Sequence, residues 1–243
     1  LTLETRRILR NKRTLFFALA FPTLMFLLIV GTSSGMDKPL SDSDPKAGNI
    51  AAYVMVSMAF YGAALVAAAA GASVSVERAL GWSRQLRVTP LRPVAYISIK
   101  AIVAGIMGLI AVVVVNLVGL LHGTASMPAG AWLECAVLTL LAAMVFPALG
   151  LFIGYLVPSE NAMQILGPGL AAMAFVGNVF IPVTKGTTMW HIAAFTPMFG
   201  GAELARAPLT HDLPWYAVLN VVVYLAIFVA GAAWRMSKDT ARV

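Results

Sequence analysis

Charge is scarce in this sequence. Only 11% of its 243 residues are Asp, Glu, Lys or Arg, against roughly a quarter in a soluble domain. A soluble chain of this length must show a polar exterior to water, and this composition supplies none, whereas lipid asks for none. Cysteine is nearly absent: Cys135 is the single one, which excludes an intrachain disulfide. The three histidines, His122, His191 and His211, lie at the edges of apolar runs or in polar joints, with no metal-ligand spacing between them. They read as interfacial residues. No G-x-x-x-x-G-K-[ST] and no H-E-x-x-H occurs, so the sequence offers neither a nucleotide-hydrolysing phosphate loop nor a zinc-protease helix. Aspartate is missing from the apolar runs and no histidine sits at mid-run, which excludes the catalytic pairs of an intramembrane hydrolase. Glu134 and Lys100 fall near run ends and are expected to snorkel to the interface. With no charged relay across the runs, an ion-coupled pump is disfavoured, and an apolar or amphipathic cargo fits better.

What is abundant is apolar sequence, 60% of the chain. A helix needs about 20 apolar residues to cross the hydrocarbon core. Six runs approach or meet that length: 15–31, 50–74, 94–121, 132–157, 162–183 and 215–234. They are continuous rather than alternating, so helices are expected and barrel strands are not. The expected fold is a single all-α, polytopic membrane domain with six transmembrane helices. Residues 32–49 read as a solvated loop, and 75–93 as a basic, amphipathic one. Short joints run from His122 to Pro128 and from Pro158 to Asn161. Residues 184–214 are expected to form a short helix or re-entrant piece lying at the surface. Gly105 with Gly108, and Gly150 with Gly154, suit close helix packing, the second pair being also a weak dimer signal.

The net charge of +7 sits at the run edges, which points to membrane orientation rather than to nucleic acid. Arg6, Arg7, Arg10, Lys12 and Arg13 precede the first run, Arg78, Arg84, Arg87, Arg92 and Lys100 follow the second, and Arg235, Lys238 and Arg242 close the chain. Six crossings put all three groups on one side, so both termini are expected in the cytoplasm and the protein in the cell membrane of a bacterium. Leu1, Thr5, Ile8 and Leu9 share one face of a basic, amphipathic N-terminal helix suited to the membrane surface; the plainer alternative is a basic flank of the first span. The sequence opens on Leu1 rather than Met, which predicts that the native start lies upstream, and no signal-peptide cleavage site follows the first run.

The segment LFIGYLVPSENAMQILGPGLAAMAFVGNVFIPVTKGTTMWHIAAFTPMFGGAELARAPL, residues 151–209, resembles the signature region of the type-2 ABC exporter permeases. The matching residues are Gly154, Glu160, Gly177, Pro182, Pro197 and Arg206. RRILRNKRTLFFALAFPTLMFLL looks like that family's basic surface helix running into a first span with an early proline, Pro22. ERALGWSRQLRVTPLRP looks like its first cytoplasmic loop. The resemblance implies six spans per subunit, a dimer with itself or a related permease, and two copies of a separate cytoplasmic ABC ATPase that binds the ATP and magnesium. It implies a coupling loop of Glu77, Arg78, Leu80, Gly81, Trp82, Arg84, Leu86, Arg87, Thr89 and Pro90. Leucines and the tryptophan would anchor it, and Glu77, Arg84 and Arg87 would pair with the ATPase rim. Met55, Met58, Met163 and Met173 are candidates for a tolerant cargo path. The function implied is export of a drug, antibiotic or lipid. The alternatives are a polysaccharide or glycolipid exporter subunit and a non-transporting structural membrane subunit.

Overall fold

The structure, a computed structural model, describes residues 16–41, 48–80 and 93–240; the side chains of 93–98, 159, 160, 163, 239 and 240 lie outside that description. The described residues are overwhelmingly helical, with one isolated bridge between Pro39 and Asn49. The first apolar run is a π-helical turn, Phe16–Ala20, leading into α1, Phe21–Thr32. Pro22 has no N–H to give to the carbonyl of Ala18, which loosens the turn at that point. The expected N-terminal surface helix lies outside the described residues.

The centre of the molecule is α2, Ile50–Ala72, extended by α3, Val74–Ala79. Its sequence, rich in alanine and apolar on every side, carries no stripe, and almost every residue of α2 is buried. A helix apolar all round belongs in the interior, and small side chains let neighbours approach from several directions. Around it stand α1, α4 (Pro93–His122), α5 (Ala129–Ala143), α6 (Phe146–Leu156) and α7 (Ser159–Val176). Two further helices, α8 (Thr188–Ala194) and α9 (Pro197–Thr210), precede the last, α10 (Trp215–Thr240).

Four segments are long and apolar enough to cross a membrane: Ile50–Ala79, Ile99–His122, Ala129–Leu156 and Trp215–Lys238. Phe16–Thr32 and Gln164–Val176 are shorter apolar helices. The fourth run breaks at Met144–Val145 between α5 and α6, two residues before Pro147, whose ring and missing N–H disrupt the preceding turn. The fifth run stops at Val176 rather than at residue 183. Asn178 takes a left-handed conformation there, with φ of 62°, and ends the helix. Ser159, Glu160 and Asn161 are not a polar joint but the first turn of α7.

The largest departure lies in the second half of 184–214. The short helix α8 is exposed along most of its length, as expected, but α9 is buried along most of its own, packed against α2, α5 and α10. Its start follows from local chemistry. Thr196 caps it, accepting from the Phe199 amide at 3.3 Å, and Pro197 takes the first helical position, where its lost N–H costs nothing.

Gly150 and Gly154 are used up inside the chain. A Cβ on Gly150 would overlap the Ala68 carbonyl and lie 2.9 Å from the Ala72 amide, and one on Gly154 would lie 2.9 Å from Val74 Cγ1. Gly71 answers from α2: its Cβ would meet the Pro147 carbonyl and the Leu151 amide. The small-residue motif therefore packs α6 on α2 and is not offered to a second copy.

Asn49 caps α2 and ties it to a distant loop. It accepts from the amides of Ala52 at 2.9 Å and Ser126 at 3.0 Å and donates to the Thr124 carbonyl at 2.7 Å. Asn49→Ala leaves these buried groups unmatched, a loss of about 2 kcal/mol. The melting temperature in detergent is expected to fall by about 5 °C. Asn49→Asp, which keeps both acceptor bonds, should recover part of the loss.

Candidate functional site

Two buried polar clusters sit on the central helix. They are separated by the 20 residues from Ser57 to Glu77, about 30 Å of helix, which is the thickness of a hydrocarbon core.

The first lies at the foot of α2–α3. Lys100 of α4 donates to Ser73 Oγ at 2.8 Å and is ion-paired with Glu77 of α3. Both side chains are buried. The expectation that Lys100 snorkels is therefore wrong: the carboxylate twenty-three residues earlier draws its ammonium into the bundle. Glu77 likewise faces inward, toward Lys100. Arg78 donates to the carbonyls of Gly154 at 3.2 Å and Tyr155 at 3.5 Å, its guanidinium 5.0 Å from the Tyr155 ring centroid. These groups bolt α3 to α4 and α6, so α3 is a rigid continuation of α2. A buried pair of this kind adds little net stability, but removing one partner costs about 3–5 kcal/mol, because the other charge is stranded. It therefore specifies a position more than it stabilises the fold.

Of the expected coupling-loop residues, Leu80 is 74% exposed at the point where the described chain stops. Gly81, Trp82, Arg84, Leu86, Arg87, Thr89 and Pro90 lie outside the described residues.

The second cluster centres on Arg206, a fully buried side chain of α9. One terminal nitrogen donates to Ser57 Oγ at 3.0 Å and to the Asn178 carbonyl at 2.8 Å, and the other donates to Glu203 Oε1 at 2.8 Å. Asn178 Nδ2 donates to the same carboxylate oxygen at 3.0 Å, while its Oδ1 accepts from the Val183 amide at 2.8 Å. The guanidinium lies 4.2 Å from the Tyr53 ring centroid, within cation–π range. Only Nε lacks a partner among the described residues. The planar fork of arginine suits this arrangement, since three acceptors on three elements are met by one rigid group. The cluster locks α9 to α2 and to the turn after α7.

The signature residues divide between these two places. Gly177 is buried beside Thr196 and Met198, so it, Pro197 and Arg206 gather around the second cluster. Gly154 belongs to the first. Glu160 opens α7, and Pro182 is exposed in the connection beyond it. Met55 and Met58 are fully buried in the core and Met173 half-buried; in this conformation the first two line no open surface. The Met163 side chain is outside the described residues. Sequence reasoning missed Tyr53, Ser57, Asn178 and Glu203. The spacing of Glu203 and Arg206, one turn apart in an alanine-rich stretch, was the available signal. For the Glu77–Lys100 pair no local signal exists.

A family model described as ABC-2 type transporter matches residues 1–210. The chain is similar to a Bacillus subtilis (strain 168) protein named "Putative transport permease YvfS", 23% identical over 246 residues that cover 98% of this chain and 96% of that protein. No solved structure matches.

Proposed function

This chain belongs to the ABC-2 type transporter family and is a membrane permease subunit, and from that premise we propose that it exports an apolar or amphipathic compound, with a separate ATPase as motor. The cargo class that fits best is a drug, an antibiotic or a lipid, because the walls available are apolar.

Six crossings serve this function, the four long helices together with α1 and α7. The latter has 18 residues, about 27 Å of helix, close to the hydrocarbon thickness. An even count gathers thirteen of the 17 basic residues on one face, which the positive-inside rule makes cytoplasmic, with both termini. The permease pairs with itself or a related subunit, and two cytoplasmic ABC ATPases bind ATP and magnesium beneath the pair. Residues 81–92 dock on the ATPase, and cargo passes between protomers along the exposed faces of α1 and α7, with α2 behind them as the buried post.

The observation that carries this reading is the Ser73–Glu77–Lys100 clamp. A push delivered at Leu80 cannot be absorbed by bending α3, because α3 is bolted to two neighbours. It is passed along α2 to Ser57 and Tyr53, and so to Arg206 and α9, which caps the exit. Binding at the foot thus biases the outer end, as a two-state transporter requires.

Docking is tested in the loop. Trp82→Ala removes the strongest candidate anchor, and a hot-spot loss of about 2 kcal/mol corresponds to roughly 30-fold weaker binding. Co-purification of the ABC ATPase is expected to collapse while the melting temperature of the permease stays unchanged. Undiminished binding by Trp82→Ala combined with Arg87→Ala would leave those residues a purely topological role.

A further inference from the structure

Between Ala217 and Ala233 the only polar side chains of α10 are Asn220 and Tyr224, one turn apart. Both grip the elbow where α8 ends and α9 begins. Asn220 Nδ2 donates to the carbonyls of Ala194 at 2.8 Å and Thr196 at 3.2 Å, and the Tyr224 hydroxyl donates to that of Phe195 between them. The Ile192 carbonyl accepts from the Phe195 amide at 3.1 Å, and the Ala193 carbonyl from the Thr196 amide and hydroxyl, each at 2.8 Å. Every carbonyl from 192 to 196 is thus paired within the protein. At a helix end in water, solvent ordinarily serves those acceptors. Asn220 gives both bonds while its own Oδ1 has no partner among the described residues and is pressed against Gly200.

The same contacts fix how deep the elbow lies. At the start of α8 the Trp190 ring lies 5.4 Å from that of Tyr216, and just before the helix the Lys185 ammonium lies 5.8 Å from the same ring. Further on, Ala194 and Thr196 meet Asn220, and Phe195 meets Tyr224. From Tyr216 to Tyr224 is about 12 Å of helix. Trp215 and Tyr216 open the apolar segment Trp215–Lys238, in the place of an interfacial aromatic pair. The elbow therefore sits roughly 12 Å inside that boundary, within the hydrocarbon. The sequence follows the descent: Lys185, Thr187, Thr188 and His191 come first, then Ile192, Ala193, Ala194 and Phe195. Phe195 is 80% exposed and Ile192 50%, and at this depth Val222 and Val223 of α10 are exposed as well. An exposed apolar face with every carbonyl beneath it paired is what hydrocarbon demands and water does not. It continues the lipid-facing surface of α10.

We propose that the α8–α9 elbow is immersed in the hydrocarbon of the leaflet that α10 enters first, with Phe195 and Ile192 against acyl chains. Asn220 and Tyr224 are the positioning residues that let its backbone stay there. The cap α9 is then held from two sides, by the Arg206 cluster within the bundle and by acyl chains outside it. The proposal requires only that α10 cross the bilayer; that this leaflet is the outer one rests on the orientation proposed above.

The test places a nitroxide on the full chain at Phe195→Cys, with Cys135→Ala removing the native thiol, in phosphatidylcholine vesicles. Collision with oxygen, which concentrates in hydrocarbon, is compared with collision with a water-soluble nickel chelate. Oxygen is expected to relax the label about tenfold more effectively, because hydrocarbon excludes a polar solute. A label at Lys185→Cys should show the opposite preference. Ile192→Cys, on the same face, carries the measurement if the first variant misfolds. Asn220→Ala and Tyr224→Phe each strand carbonyls that lipid cannot serve, so each should raise chelate access at residue 195 by about threefold as the elbow rises toward water. A role in stability alone would lower the melting temperature and leave that access unchanged. Chelate access at residue 195 equal to that at residue 185 overturns the immersion. A label shielded from both reagents overturns it too, by placing the elbow in a contact between chains. Unchanged access in both α10 variants overturns the assignment to Asn220 and Tyr224. None of these readouts depends on transport, so failure here leaves the export reading standing.

Discussion

Arg206→Met should lower the melting temperature of the purified permease by on the order of 10 °C. The guanidinium is fully buried and serves Ser57, the Asn178 carbonyl and Glu203 at once. Methionine fills much of the same space but returns none of those bonds, and breaking a buried pair typically costs about 3–5 kcal/mol. In a chain of this size each kcal/mol is worth roughly 2–4 °C. The companions sharpen the reading. Arg206→Lys keeps the charge but not the fork, so it should fall between wild type and methionine. Glu203→Gln combined with Arg206→Met removes both charges and should be more stable than Arg206→Met alone, because no carboxylate is left stranded. If Arg206→Met melts within 2 °C of the wild type, the guanidinium does not hold α9 in place. Transport should fall with stability in the methionine variant, since α9 would no longer move with α2.

A second large effect is expected from Gly150→Leu, which should yield little monodisperse protein. Here the obstacle is backbone. The new side chain would run into the Ala68 carbonyl and the Ala72 amide, neither of which can rotate away, and α6 would have to leave α2. Overpacking in a core ordinarily costs about 1–3 kcal/mol, relieved by side-chain adjustment; with main chain as the neighbour that relief is absent. Gly105→Ala is the control. Its Cβ would find Met144 Cε at 3.8 Å, an ordinary contact, and alanine is the better helix former. Fluorescence-detected size-exclusion chromatography separates the two outcomes. A Gly150→Leu variant that elutes and melts like the wild type would mean that α2 and α6 are not packed backbone to backbone.

These two sites show how unevenly the molecule could be read from its residues. Gly150 and Gly154 announce close packing by spacing alone, yet nothing in the spacing says whether the partner is another helix of the chain or another chain. Arg206 stands out as a lone cation in an apolar stretch, and resemblance marks it as a signature position; its partners Ser57 and Asn178 are 149 and 28 residues away. Lys100 was misread for the same reason. A lysine near the end of an apolar run snorkels by default, and only the arrival of Glu77 from another helix reverses that.

Composition and order alone determined that this protein is helical and lives in lipid, because apolar runs of that length have no other stable solvent and because a helix is the one element that satisfies its own backbone there. They also marked roughly where the runs lie, since an unbroken apolar stretch and its basic flanks are properties of neighbouring residues. Which helix stands at the centre, that α9 dives inside instead of lying on the surface, and which charges meet were decided by tertiary packing. Those outcomes depend on pairs far apart in the chain, whose meeting is set by how closely small residues let the helices approach.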